Sequence, residues 1–353
     1  MVTTKIKFPA ILSSCYVLII PTTIFELQIL GMKILVTAGS SKGNPSNRSN
    51  PVPSKASEII HIFKRGNLIT SSFSVAATGF PKGESEGAFG GMCHKKVVVG
   101  HGKHMFEYQI STNKWNRIDY EQNTPNDRFD AQSCTIHDTL ILCGDWIRTD
   151  VELLSLKYLN IRSLSCLTGV NDDTVRKTIC CQTVCPTPLP LDVRYHAIAK
   201  SGDRELILLG GLVNNAISHR VFQGTLTRCG KDVVWRELEG MKIARIRHVT
   251  FKMKNHIYVL GGLVSQNSDS KICERYNLTT NIWTRSIHSL PYPLCYAAVT
   301  VNDEETFAVI TGGKKDALPS NQIIIFTETE GFKVSNQLLM ERERFHHIAI
   351  KIG

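Results

Sequence analysis

The sequence predicts an all-β protein made by repeating one unit of four short antiparallel strands. Three observations carry that expectation. The stretch 245–287, "RIRHVTFKMKNHIYVLGGLVSQNSDSKICERYNLTTNIWTRSI", holds four β-rich runs separated by turn residues. A glycine pair or a variant of it recurs along the whole chain, each time after an apolar run. A tryptophan opens the last run of three units, at Trp115, Trp235 and Trp283.

Within the best-formed unit, residues 246–253 and 256–260 flank a Lys254-Asn255 turn, and Gly261-Gly262 releases the chain into a polar loop at 265–270. A third run at 272–276 leads through the turn 277–281 into a fourth at 282–287. Both faces of such a meander are apolar, so it needs neighbours to cover them. The glycine marks supply the neighbours: Gly210-Gly211 after "ELILL", Gly261-Gly262 after "HIYVL" and Gly312-Gly313 after "TFAVI". Degraded copies stand at Gly39-Ser40, Gly100-His101-Gly102 and Gly144-Asp145. The first glycines lie 61, 44, 66, 51 and 51 residues apart, around a period of roughly 50 residues. Two units also share a Tyr-x(6)-Trp arrangement, Tyr108 with Trp115 and Tyr276 with Trp283.

With the double glycine, the later Tyr and the Trp seven residues beyond it, the chain resembles the kelch-repeat family over about 32–353. The resemblance implies a six-bladed β-propeller of four-stranded antiparallel blades. Blade one is expected at about 32–73, blade two at 87–119, blade three at 128–165, blade four at 194–238, blade five at 245–287 and blade six at 294–338. The tail "RERFHHIAIKIG" repeats the first-strand pattern seen at "RYHAIAKSG", and blade one has no such strand of its own. Residues 344–352 are therefore expected to pair into blade one and close the ring, which removes free sheet edges.

Taken in order, residues 1–31 form an apolar extension. Lys5 and Lys7 precede the apolar run 8–30, as in a signal segment, yet Pro9, Pro21, Glu26 and Gln28 interrupt it and no small-x-small cleavage site follows. The alternative is a non-native start ahead of Met32. The loop 40–53 is rich in Ser, Asn, Pro and Gly, and its Asn47-Arg48-Ser49 sequon has a counterpart at Asn277-Leu278-Thr279 in a repeat turn. Residues 166–192 interrupt the period with Cys166, Cys180, Cys181 and Cys185 and three prolines, and are read as an inter-blade surface loop. Only Cys181 and Cys185 have usable zinc spacing and no second pair completes a site, so no metal is expected. The eleven cysteines lack the even, close spacing of a disulfide framework and are read as reduced thiols.

A net charge of +10 favours an acidic partner, while the absence of any Lys/Arg run longer than two argues against nucleic acid. Arg128, Arg194 and Arg245 each stand sixteen residues before the first glycine of their unit, and Arg344 holds the matching place in the tail. With Arg247, they are expected to ring one opening of the propeller and present forked donors to carboxylates or phosphates. The competing reading has such arginines pinning loops through backbone carbonyls. His196, His248, His346 and His347 fall in first strands at differing offsets and are read as filler of the repeat position.

The function expected is that of a protein-interaction module binding an acidic peptide or loop on one face. By resemblance, it is a substrate-recognition subunit in a cullin ubiquitin-ligase assembly, as in BTB-kelch adaptors, or an actin-cytoskeletal scaffold; no BTB or BACK helices are present in the sequence. No enzyme motif, cofactor or membrane segment is expected, and a cytoplasmic location follows from the same reading. The alternatives are a small-molecule enzyme of the kelch oxidase or sugar-epimerase type, and an extracellular kelch domain.

Overall fold

The computed structural model describes residues 30–38, 40–41, 52–53, 57–65, 68–81, 87–120, 130–144, 149–161, 175–265 and 268–352. Most of the 1–31 extension, the 47–49 sequon and Arg128 lie outside the described residues. What is described is all-β, with antiparallel four-stranded meanders following one another along the chain. Blade two is Phe89–Cys93, Lys96–His101, His104–Gln109 and Lys114–Tyr120, and blade four is Ala197–Lys200, Glu205–Leu209, Val221–Leu226 and Val233–Leu238. Blade five is Val249–Met253, His256–Leu260, Cys273–Asn277 and Ile282–Arg285, and blade six is Ala298–Val301, Ala308–Thr311, Leu318–Thr327 and Gly331–Arg344. Their first strands touch in cyclic order, each resting on the next and the last returning to the first. This is a β-propeller.

The ring closes as the tail's pattern requires. Ile348–Lys351 pairs antiparallel with Leu30–Thr37, in the register Ile34 with Lys351 and Thr37 with Ile348. Leu30–Thr37 then pairs with Ser57–Arg65, and that strand with Leu68–Ala77, which completes blade one.

Blade three departs from the expected boundaries. Its strands are Gln132–Ile136, Thr139–Cys143, Val151–Ile161 and Val175–Val184, so the Cys-rich stretch read as a surface loop contributes the outermost strand. Here Cys180 is buried, pairs in register with Leu156 and packs with Leu154 and Phe89. The same strand also meets the last strand of blade two in parallel, Ile179 with Asp119 and Cys180 with Tyr120. The nine cysteines among the described residues are all free thiols.

Apolar side chains sort into six buried clusters, and each is shared by two adjacent blades. Ile136 and Val151 of blade three meet Leu206 and Phe222 of blade four, for example. A sheet apolar on both faces is thus buried on both faces.

The Tyr-x(6)-Trp motif has a local cause. Tyr276 Oη donates to Asn281 Oδ1 (2.9 Å), and Asn281 holds the left-handed turn at φ 57°. Trp283 packs on that tyrosine with ring centroids 5.1 Å apart, and its Nε1 donates to the Glu239 carbonyl of blade four (2.7 Å). Blade two repeats each contact: Tyr108 bonds Asn113, and Trp115 bonds the Thr78 carbonyl of blade one. In blade four Gly224 replaces the tyrosine, and a Cβ there would come within 2.8 Å of the Trp235 ring.

The closing strand sets the first test. Ile350 is buried between blades one and two, so Ile350→Asp places an unpaired carboxylate in a core. A loss of about 3 kcal/mol or more is expected in urea unfolding. Ile287→Asp, at a side chain 82% exposed, is expected to stay within about 0.5 kcal/mol of the unchanged protein.

Candidate interaction site at the channel mouth

Each double glycine is a socket for the next blade. Gly210 and Gly312 have φ of +59° and +57°, and a Cβ at either would lie 2.5 Å from the carbonyl oxygen of Arg245 or Arg344 respectively. The second glycine's N–H donates to that same carbonyl: Gly211 N to Arg245 O is 3.0 Å and Gly313 N to Arg344 O is 2.9 Å. Leu294 docks in the same way on Gly262 N (2.9 Å). Side chains are excluded because the neighbouring backbone occupies their space.

Two residues after each docking carbonyl comes a residue in the left-handed region. Asp130 (φ 67°), Tyr195 (56°), Arg247 (53°), Tyr296 (58°) and His346 (53°) form this set, with Gly87 (76°) in blade two. Main-chain bonds link them in two runs that form a belt at the opening. Arg247 N donates to Tyr195 O (3.0 Å), Tyr296 N to Arg247 O (3.0 Å), His346 N to Tyr296 O (2.9 Å) and Asp130 N to Gly87 O (3.2 Å). Non-glycine residues in this region cost energy that the surroundings must overcome, and such residues gather at functional sites.

The belt's side chains converge on a pocket of about 230 Å³ at the mouth of the central channel. The Arg247 guanidinium is sandwiched between Tyr195 and Tyr296, at 3.6 Å and 4.2 Å from the ring centroids. Asp130 reaches across the opening, its carboxylate bonded to His346 Nε2 and 3.8 Å from Arg247 Nη2. Burial alone would raise the Asp130 carboxyl; the His346 hydrogen bond and the nearby Arg247 charge are among the influences that outweigh it and hold the group below its ordinary value. Burial pushes the Tyr296 phenol up to about 12, against the opposing field of Arg247. Beside this cluster Lys314 lies 4.0 Å from the Phe345 centroid and Lys315 4.5 Å from that of Tyr292.

The arginines expected at the rim are placed differently. Arg245 and Arg344 are fully buried, 0% exposed, and present nothing to solvent. Arg245 donates to the carbonyls of Gly261 (2.6 Å) and Ile272 (3.0 Å) and to Glu274 Oε2 (2.7 Å). Arg344 donates to Glu58 Oε1 (3.0 Å), tying the tail into blade one. These two act as buried staples, and Arg245 also pins backbone carbonyls. Arg194 is not their equivalent: Val193, two residues before Tyr195, takes that place in blade four, and Arg194 is half-buried beside it. Counting from the glycine misses this because the hairpin between the first two strands varies in length. Only Arg247 of the described set lines the mouth.

His196, His248 and His347 follow the left-handed residues directly and so occupy one repeat position, although their glycine offsets differ. They are buried, and packing against the double glycines explains them: the His248 ring lies over Gly210 and the His347 ring over Gly312. Desolvation lowers all three, His196 to about 4 and the others well below their ordinary value.

A model of the kelch motif matches residues 244–286. The chain is thus similar to the kelch motif over its fifth blade. It is 27% identical over 152 residues to "Kelch-like protein 38" of Homo sapiens, covering 41% of this chain and 25% of that protein. It is 29% identical over 139 residues to "Kelch repeat and BTB domain-containing protein 12" of Danio rerio, covering 36% and 21% respectively. The matches therefore span a quarter or less of the relatives' length.

Two measurements test this site's construction. Arg245→Leu leaves Glu274 buried and unpaired, with an expected cost of about 3–5 kcal/mol. Adding Glu274→Ile recreates the Leu294 and Ile324 pair of blade six, and most of that loss is expected to return in a double-mutant cycle. Acid titration tests the histidines. They are neutral when folded, whereas the unfolded chain takes up protons below 6.5, so stability is expected to fall as the pH drops from 6.5 toward 4. Urea midpoints at pH 7 and 5 are expected to differ by roughly 2 kcal/mol per buried histidine, and His248→Gln removes one share.

Proposed function

We propose that this chain is a protein-interaction module that takes an acidic segment of a partner at the channel mouth. Arg247 carries the reading. Its guanidinium is held flat between two tyrosines and, among the described residues, makes no hydrogen bond within the protein; its ionic neighbour Asp130 stands at 3.8 Å. A pre-oriented fork with unspent N–H donors suits a carboxylate. Tyrosine and arginine together are the residue types that anchor protein interfaces.

The charge distribution points to the same face. Away from the mouth, cations are spent on carboxylates: Lys252 on Glu305 (2.7 Å), Lys254 on Glu328 (2.8 Å), and Lys351 on Asp303. Around the mouth, Arg247, Lys314 and Lys315 rest on aromatic rings instead. The exposed Leu318 adjoins Lys315 in the hairpin beside them and offers an apolar contact.

The finer role we propose is substrate recognition within a ubiquitin-ligase assembly, supported by likeness to a protein whose name includes a BTB domain; a cytoskeletal scaffold on actin is the second family-typical role. The reading is non-enzymatic and cytoplasmic. Proximity labelling in cells, comparing the unchanged protein with Arg247→Glu and with Lys254→Glu on the opposite face, tests it. Loss of a specific partner set from Arg247→Glu alone is expected; equal retention by both variants overturns the assignment of the mouth.

A further inference from the structure

The mouth holds an anion of its own. Asp130 comes from blade three, His346 from the strand that closes blade one, and Arg247 from blade five, so three alternate blades send one polar side chain each to the axis. The fold does not ask for a carboxylate at this position. What the belt needs from residue 130 is a left-handed backbone and an N–H for Gly87 O, and tyrosine, arginine and histidine meet the same need in other blades. The acid therefore serves the mouth and not the ring.

Its contacts are uneven. The carboxylate hydrogen-bonds His346, but it stops at 3.8 Å from Arg247, beyond hydrogen-bond reach. It thus lends Arg247 partial neutralisation and leaves the guanidinium's donors open. The remaining titratable groups facing it are His196, buried and neutral, and Tyr296, buried and protonated. Asp130 is the one carboxylate among the described residues that line the pocket.

We infer that Asp130 is an internal competitor and the specificity-determining residue of the mouth: its carboxylate occupies the seat between His346 and Arg247 that a partner's acidic side chain takes on binding. This rests on the reading of Arg247 as the anchor for an acidic group. An incoming carboxylate must displace Asp130 or bind against its charge, which weakens singly charged, loosely held anions. Segments with several acids, which can also engage Lys314 and Lys315, are favoured. Removing the internal charge turns a balanced mouth into a cationic one.

The test uses the full chain and fluorescein-labelled hexaglutamate, with hexalysine as control, read by fluorescence anisotropy. Asp130→Asn is expected to bind hexaglutamate about tenfold tighter than the unchanged protein, and Asp130→Asn with Arg247→Ala is expected to lose the gain. Asp130→Ser, which also removes the charge, is expected to behave like Asp130→Asn, and urea midpoints verify that each variant is folded. Unchanged or weaker binding by both folded variants, with Arg247 still required, overturns the competitor role and leaves the acidic-partner reading standing. Hexaglutamate binding that ignores Arg247 in every background, or no binding in any, overturns both.

Discussion

One hydrogen bond, repeated between blades, underlies the rest of this molecule: the N–H of the second glycine in each intact pair donates to a carbonyl of the segment leading into the next blade. It requires two consecutive left-handed residues with no side chains, so the sequence pays little attention to anything else at that point and the pair stands out along the chain. Once the carbonyl is seated, the following residue pair is fixed in space. The left-handed residue is turned toward the axis, and the histidine after it, where present, lies over the preceding glycines. The site at the mouth is a by-product of how the blades are joined.

A second regularity is that blades alternate. Blades one and five carry a buried Arg–Glu staple, Arg344 with Glu58 and Arg245 with Glu274. Blade three has Glu152 at the same place in its third strand, and it is buried. Blades four and six fill both positions with apolar residues, Val193 with Phe222 and Leu294 with Ile324, which pack into the inter-blade clusters. The same odd-numbered blades supply Asp130, Arg247 and His346, while Tyr195 and Tyr296 come from even ones. Arginine and glutamate change together because a buried ion pair is tolerable only when both members are present. The result is a mouth with an approximate threefold plan, in which aromatic faces separate and orient charges.

Much of this was legible in the residues, and the remainder was hidden for definite reasons. The glycine pairs and the Tyr-x(6)-Trp signature show because each answers a local demand, a bare turn or a ring stacked over an Asn-held corner. The closing strand shows because residues 344–352 must satisfy the same pattern as any first strand. The arginine rim misled because a fixed count from the glycine runs through a hairpin whose length changes from blade to blade. Arg194 thereby looks equivalent to Arg245 when Val193 is. The partner Glu274 could have exposed the staple: an acid set between Cys273 and Tyr276 at a buried repeat position needs a cation. The outer strand of blade three went unseen because it carries no tryptophan and sits among cysteines and prolines that resemble a loop.

The antiparallel seam in blade one has a geometrical corollary for anything attached to the propeller. The final strand runs from His346 at the mouth to Lys351 beside Ile34, and Leu30–Thr37 runs the opposite way. Leu30 and Lys351 therefore both lie toward the face opposite the mouth. The seam thus directs the first described strand and the last away from the tyrosine-lined orifice.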